Sequence, residues 1–190
     1  MSYLQKEVPD DKILIKEDFG LKILFLGLAQ TGKSSIIKVV FENMEPEKTS
    51  SLPATVGLKR EFLDFSGYSL NVYDVGGQIT YLEEAFLDLR ESIFSYLKVL
   101  FFVVDSSKLL DLTTAKKYFE RAYSNVQEYS KDAKISVLAH KMDLIPQEGR
   151  VKAIELISEF FDVRKYENVD LFETSIYEQS IFEALKKALD

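Results

Sequence analysis

The eight residues Gly27 to Ser34, GLAQTGKS, have two glycines bracketing four residues, with a lysine and a hydroxyl directly after. That spacing builds a phosphate cradle when it joins a strand to a helix. The glycines let the backbone wrap an anionic chain, and backbone N–H groups with the helix N-terminus meet its oxygens. Ala29, Gln30, Thr31, Gly32 and Ser35 belong to this cradle with Gly27. Lys33 is placed to reach the β- and γ-phosphates, and Ser34 to ligate Mg2+.

Four further segments carry polar chemistry. YDVGGQ, Tyr73 to Gln78, closes an apolar run with Asp74 able to hold the metal, Gly77 leaving its N–H open to a γ-phosphate, and Gln78 able to orient a water. With the cradle, it predicts a nucleoside triphosphatase. PATVG between them offers Thr55 as a second hydroxyl for Mg2+ and the γ-phosphate, with Thr49 as its rival in the same loop. Thr55 is preferred because it immediately precedes the next strand. HKMD supplies Asp143, whose carboxylate can accept from a guanine's ring N–H and exocyclic amine, a pattern adenine lacks. Lys141 can lay its stem along the base and tie down the cradle. His140 can donate one N–H to a base acceptor or a loop carbonyl, or be a solvated or core-capping histidine. ETSI, Glu173 to Ile176, can complete a base pocket with the N–H groups of Ser175 and Ile176.

Elements that position these segments are legible as alternating apolar runs and helix-period stretches. LKILFL, LKVLFFVVD and KISVLA read as buried strands, REFLDF and YSLNVYD as a hairpin turning at Ser66-Gly67, and VDLFET as a short strand. Helical stretches run from Lys33 to Met44, across residues 80 to 95, along Leu112, Ala115, Phe119, Ala122 and Val126, and along Val151, Ile154, Ile157, Phe160 and Phe161. A last helix is announced by the capping-box spacing of Ser180 and Glu183. The expected fold is α/β, a three-layer P-loop NTPase fold with a mostly parallel six-stranded sheet, one antiparallel edge strand and helices on both faces. In such sheets ligands sit at the carboxyl ends of the strands, where these motifs fall. Residues 1 to 20 read as a loosely ordered lead-in whose Ile13 to Ile15 cluster could instead add an edge strand, and residues 21 to 190 as one domain.

Composition narrows the classes. A chain of 190 residues, 46% hydrophobic, has room for one core. A net charge of -7 argues against unspecific nucleic-acid binding. The absence of Cys and the single His exclude disulfides, thiol nucleophiles and Cys or His metal clusters. No apolar run approaches the ~20 residues that span a bilayer. Ser2 and the ending KKALD offer no myristoyl or prenyl anchor, so a cytoplasmic protein is expected, reaching membranes only through a partner.

Taken together the segments resemble the Ras-like small GTPase superfamily, and within it the Rag/Gtr GTPases, over about residues 21 to 190. The resemblance rests on GLAQTGKSSIIKVVF, LNVYDVGGQITYLEEAF, DAKISVLAHKMDL and TSIYEQSIFEAL. HKMD is similar to what that family carries where other small GTPases have Asn. The P-loop helix and SIFEA resemble one Rag subclass, DVGGQ and HKMDL the other.

The resemblance implies a guanine-nucleotide switch that binds GTP or GDP with Mg2+ and hydrolyses GTP slowly. Gln78, Lys33 and Thr55 would serve catalysis, with Ser34, Thr55 and Asp74 around the metal and His140, Lys141 and Asp143 selecting guanine. GTPase-activating proteins, exchange proteins and roadblock/longin-type proteins would be partners. Known members continue into a roadblock-like domain through which they pair, and pairing through it is not expected here because the chain stops before it. Ala29 stands where many small GTPases have Gly, and a methyl there is expected to slow hydrolysis. Two competing readings are a non-hydrolysing nucleotide-bound docking module and an ATP-using kinase. Asp143 disfavours the kinase, because a carboxylate facing adenine's acceptor nitrogen would leave both unpaired.

Overall fold

The computed structural model describes residues 20–190; the Ile13 to Ile15 cluster and the rest of the lead-in lie outside the described residues. The strands are β1 (Leu21–Leu26), β2 (Leu58–Phe65), β3 (Tyr68–Val75), β4 (Leu97–Asp105), β5 (Lys134–His140) and β6 (Val169–Thr174). The helices are α1 (Lys33–Glu42), α2 (Ile79–Leu87), α3 (Arg90–Phe94), α4 (Leu112–Tyr129), α5 (Gln147–Phe160) and α6 (Ser180–Leu189). They build one six-stranded sheet in the order β2-β3-β1-β4-β5-β6. Among the described residues only the β2–β3 pair is antiparallel, and β2 lies at one edge of the sheet.

The near-continuous apolar character of β1, β4 and β5 follows from burial on both faces. Along β4, Val99, Phe101 and Val103 pack with Ile36, Ile37 and Val40 of α1 and with Ile181 and Leu185 of α6. The alternate residues Leu100, Phe102 and Val104 pack with α2 to α5 on the other face. Phe102, fully buried, meets Phe119 at 5.4 Å and Phe161 at 6.2 Å between ring centroids. Phe102→Ala should therefore lower stability by about 3–5 kcal/mol, read from denaturant midpoints. A loss below about 1 kcal/mol would show that this layer collapses around the gap.

Several local expectations change. Helix α1 stops at Glu42 rather than Met44, because Asn43 takes a left-handed conformation and Met44 N–H turns back to Lys38 O at 3.0 Å. Residues 80 to 95 form two helices, not one, with the break at Asp88 and Leu89. Phe86 and Ile93 lie seven residues apart, two helical turns, so their spacing alone gives no sign of the break. Val151 faces solvent, leaving Ile157 and Phe161 as the buried part of the α5 stripe. Ser180 occupies the first position of α6 and makes no cap; its Oγ instead accepts Ser175 N–H at 3.2 Å. Among the described residues, no helix is long and apolar enough to cross a membrane.

Candidate functional site

Parallel pairing brings the carboxyl ends of β1, β3, β4, β5 and β6 to one rim, and the polar segments leave the sheet there. β1 delivers the chain into Gly27, and the loop closes at Gly32, the residue before α1, with φ of 104°. A Cβ on Gly32 would stand 2.7 Å from His140 Cδ2, so glycine is required there both by conformation and by space. Thr31 is buried and its hydroxyl donates to Leu28 O at 3.0 Å, tightening the loop on itself.

Lys33 begins α1 and folds back over the loop. Its Nζ donates to Gly27 O and Leu28 O, each at 2.9 Å, and the residue is only 5% exposed. Burial pushes its pKa down to about 8, partly offset by the Asp74 carboxylate. An ammonium kept this dry is set to gain strongly from an anionic ligand.

Next to it, three residues far apart in the chain converge. Ser34 Oγ donates to Asp74 Oδ2 at 2.6 Å, Thr55 Oγ1 donates to the same oxygen at 3.0 Å, and the two hydroxyls lie 2.7 Å apart. The other carboxylate oxygen, Asp74 Oδ1, is buried without a hydrogen-bond partner among the described residues. An orphaned buried carboxylate oxygen beside two hydroxyls is a donor set made for a hard cation, which takes oxygen ligands. Thr49 does not join them; its hydroxyl donates to Pro46 O at 2.7 Å and holds a short 3-10 turn, Pro46–Ser51.

Gly77 presses on the loop between β1 and α1 so closely that a Cβ would be 2.4 Å from Ala29 N and from Leu28 O. Gln78 follows as the exposed residue before α2. A cleft of about 340 Å³ results, lined by residues that include Ala29, Lys33, Ser34, Thr55, Gln78 and Lys141, and also by Gln30, Gly32, Ser35 and Gly77.

At the end of β5, Lys141 takes a left-handed conformation that throws its side chain across the loop. Its Nζ donates to Gln30 O at 2.7 Å and to Asp105 Oδ2 at 2.7 Å. Burial raises the Asp105 carboxyl, but hydrogen bonds from Lys141 and Ser107 outweigh it and hold the group below the usual range. Asp105 and Lys108, whose Nζ reaches Gln30 Oε1 at 3.2 Å, are site residues that sequence reasoning missed. The signal available for Asp105 was a carboxylate ending a strand that is apolar from Val99 to Val104.

Asp143 is exposed, and its Oδ1 accepts from Ser175 Oγ at 2.6 Å, joining HKMD to ETSI. Ser175 thus offers its hydroxyl; its backbone N–H, expected to line a base pocket, is taken by Ser180 Oγ at 3.2 Å. Ile176 packs partly buried beside α6. His140 is buried, its ring against Gly32 and its Nδ1 3.0 Å from Thr174 Oγ1. Burial first, then Lys141, push its pKa down to about 4, so the ring is neutral at physiological pH.

Known proteins share this arrangement of sequence and fold. A family model described as the Gtr1/RagA G protein conserved region matches residues 22–189. GTP-binding protein GTR1 of Saccharomyces cerevisiae is 33% identical over 168 residues, covering 86% of this chain and 54% of that protein. GTP-binding protein gtr2 of Schizosaccharomyces pombe is 34% identical over 179 residues, covering 88% and 54%. Among solved structures, the Arl6 BBS3 small GTPase from Trypanosoma brucei, with bound nucleotide analogue GppNp, superposes with a TM-score of 0.66 at 19% identity, over 88% of this chain and 94% of that one. That likeness speaks for the fold. The chain spans about half the length of these curated relatives.

Proposed function

The chain belongs to the Gtr1/RagA G protein family, and from that premise we propose that it is a molecular switch that binds GTP and GDP with Mg2+ and hydrolyses GTP slowly. The observation that carries this reading is the meeting of Ser34, Thr55 and Asp74 around an unpartnered carboxylate oxygen. One carboxylate and two hydroxyls suit Mg2+, which is usually held by one or two carboxylates together with substrate phosphates. When bound, the ion would neutralise charge on the phosphates.

In this reading Gly27 to Ser35 wrap the phosphates, and Lys33 gives its ammonium to them. Thr55 sits in a loop, residues 52–57, free of helix and strand, so contact with a γ-phosphate would order it and hydrolysis would release it. Gly77 offers its N–H to the same phosphate, and Gln78, exposed at the cleft, orients the attacking water. Asp143, Lys141 and His140 face the base. Residues 21 to 190 act as the nucleotide-binding domain behind a lead-in of residues 1 to 20. GTPase-activating and exchange proteins act on it in the cytoplasm, with roadblock/longin-type proteins as partners.

Among the described residues, no arginine lines the cleft. Unaided turnover should therefore be on the order of 10^-4 per second, rising by up to about 10^5 with an activating protein. Gln78→Leu should lower phosphate release about tenfold or more without weakening GTP binding. Identical release from the two proteins would favour the non-hydrolysing docking module. Extraction of the nucleotide carried through purification should yield GDP or GTP, and adenine nucleotide there would sink the base assignment.

A further inference from the structure

Gln78 immediately precedes α2, and its carbonyl oxygen accepts the N–H groups of Tyr81 and Leu82, each at 3.0 Å, so its backbone is bound into the helix's first turn. Where α2 lies therefore decides where Gln78 stands at the cleft. The helix has only nine residues, too few to hold its shape or place unaided. Leu82, Ala85 and Phe86 bury one side of it, while Ile79 and Leu87 at its two ends face solvent.

Apolar burial is non-directional and tolerates tilt and sliding. Direction comes from Glu83. Among the described residues it makes the only side-chain hydrogen bonds of α2, and both reach α4 through one oxygen. Tyr118 Oη donates to Glu83 Oε1 at 2.7 Å, and Arg121 Nη1 donates to the same atom at 2.6 Å. The partners stand one turn apart on each helix, Glu83 with Phe86 on α2 and Tyr118 with Arg121 on α4. The Phe86 and Tyr118 rings stack 5.9 Å apart, and the Arg121 guanidinium lies over Phe86, 4.7 Å from its centroid. Tyr118 is 2% exposed and its hydroxyl has no other hydrogen bond among the described residues, so freeing it from Glu83 is costly.

We propose that Glu83, clamped by Tyr118 and Arg121, is a positioning residue for hydrolysis: it fixes the tilt of α2 and so keeps Gln78 where it can orient the attacking water. This rests on the GTPase reading above. Glu83, Tyr118 and Arg121 are absent from the cleft lining, so their effect on the reaction passes through Gln78.

A misplaced orienting group slows a reaction without weakening ground-state binding. Phosphate release from protein preloaded with GTP should fall about fivefold in Glu83→Ala, which loses both bonds, and about threefold in Tyr118→Phe, which loses one. Affinity for GDP should stay within about twofold of wild type in both. Glu83→Gln, whose amide oxygen can still accept from both donors, should keep a release rate within about twofold. In a Gln78→Leu background, Tyr118→Phe should cause no further slowing, because the two changes act on one step. Wild-type rates in Glu83→Ala and Tyr118→Phe, the same slowing with or without Gln78, or GDP affinity that falls in step with the rate would each overturn the proposal. Tyr118→Phe keeps the buried ring, so it decides the matter even where Glu83→Ala does not fold. If Gln78→Leu alone leaves release unchanged, hydrolysis does not run through Gln78 and the two readings fall together. A slowed Gln78→Leu protein beside a wild-type rate in Tyr118→Phe sinks the positioning role alone.

Discussion

Replacing Lys33 by Met should weaken GTP and GDP binding by about 100-fold or more, while the nucleotide-free protein stays at least as stable as wild type. Each charge-assisted hydrogen bond from the ammonium to phosphate is worth about 1.5–3 kcal/mol, and the ammonium, which without ligand keeps two of its three protons on Gly27 O and Leu28 O, can turn them to the phosphates when nucleotide enters. The same group is a liability without ligand, because it is nearly sealed from water and pushed down to a pKa of about 8 by burial. Met fills similar volume without the charge. Calorimetric titration of nucleotide-stripped protein checks the affinity, and melting with and without nucleotide checks the fold. Unchanged affinity, or a collapse of stability that explains the lost affinity, would remove Lys33 from the binding role.

The pH dependence follows with a definite sign. Lys33 and Lys22 both have folded pKa values of about 8, lowered from 10.5 chiefly by burial. Between those values the unfolded chain binds more protons than the folded one, so stability of the nucleotide-free chain rises with pH across that window. Lys33→Met should remove its share of the rise and leave that of Lys22, whose Nζ donates to Ser92 O and Ser95 O away from the cleft.

The second large effect belongs to Asp143→Asn, which should reverse base preference from guanosine to xanthosine diphosphate, by about 100-fold or more across the two mismatches. The carboxylate can accept from both the ring N–H and the amine of guanine. Xanthine replaces that amine with an oxygen, which an Asn amide can meet with its own N–H. Ser175 Oγ, which donates to Asp143 Oδ1 at 2.6 Å, can go on donating to the Asn oxygen and hold the new side chain in place. Competition between labelled GDP and XDP on both proteins is the measurement. A preference unmoved by the substitution would mean the base lies elsewhere.

Much of the fold was legible because its signals are local. The apolar runs of β1, β4 and β5, the Ser66-Gly67 hairpin and the helical stripes depend on neighbours a few positions away, and strand-helix alternation leaves few topologies open. The misses were also local, but of another kind. A left-handed Asn43, a break at Asp88 and an uncapped Ser180 turn on single backbone conformations that hydrophobic periodicity does not encode. In the site, Lys141 was expected to tie down the phosphate loop and does so through Gln30 O. Its second partner, Asp105, comes from a different strand, and no spacing along the chain announced it.

From the sequence alone came the chemical inventory: a glycine-bracketed lysine and hydroxyl, an acid before paired glycines, an acid after HKM, and the order of elements that sends them to one rim. Only the three-dimensional structure put the hydroxyl of Thr55, the residue the sequence already favoured over Thr49, against Asp74, assigned Ser175 its hydroxyl in place of its N–H, and set His140 between Gly32 and Thr174. Residue types and periodicity are properties of short windows, whereas which hydroxyl meets which carboxylate depends on strand register and loop path across more than a hundred residues.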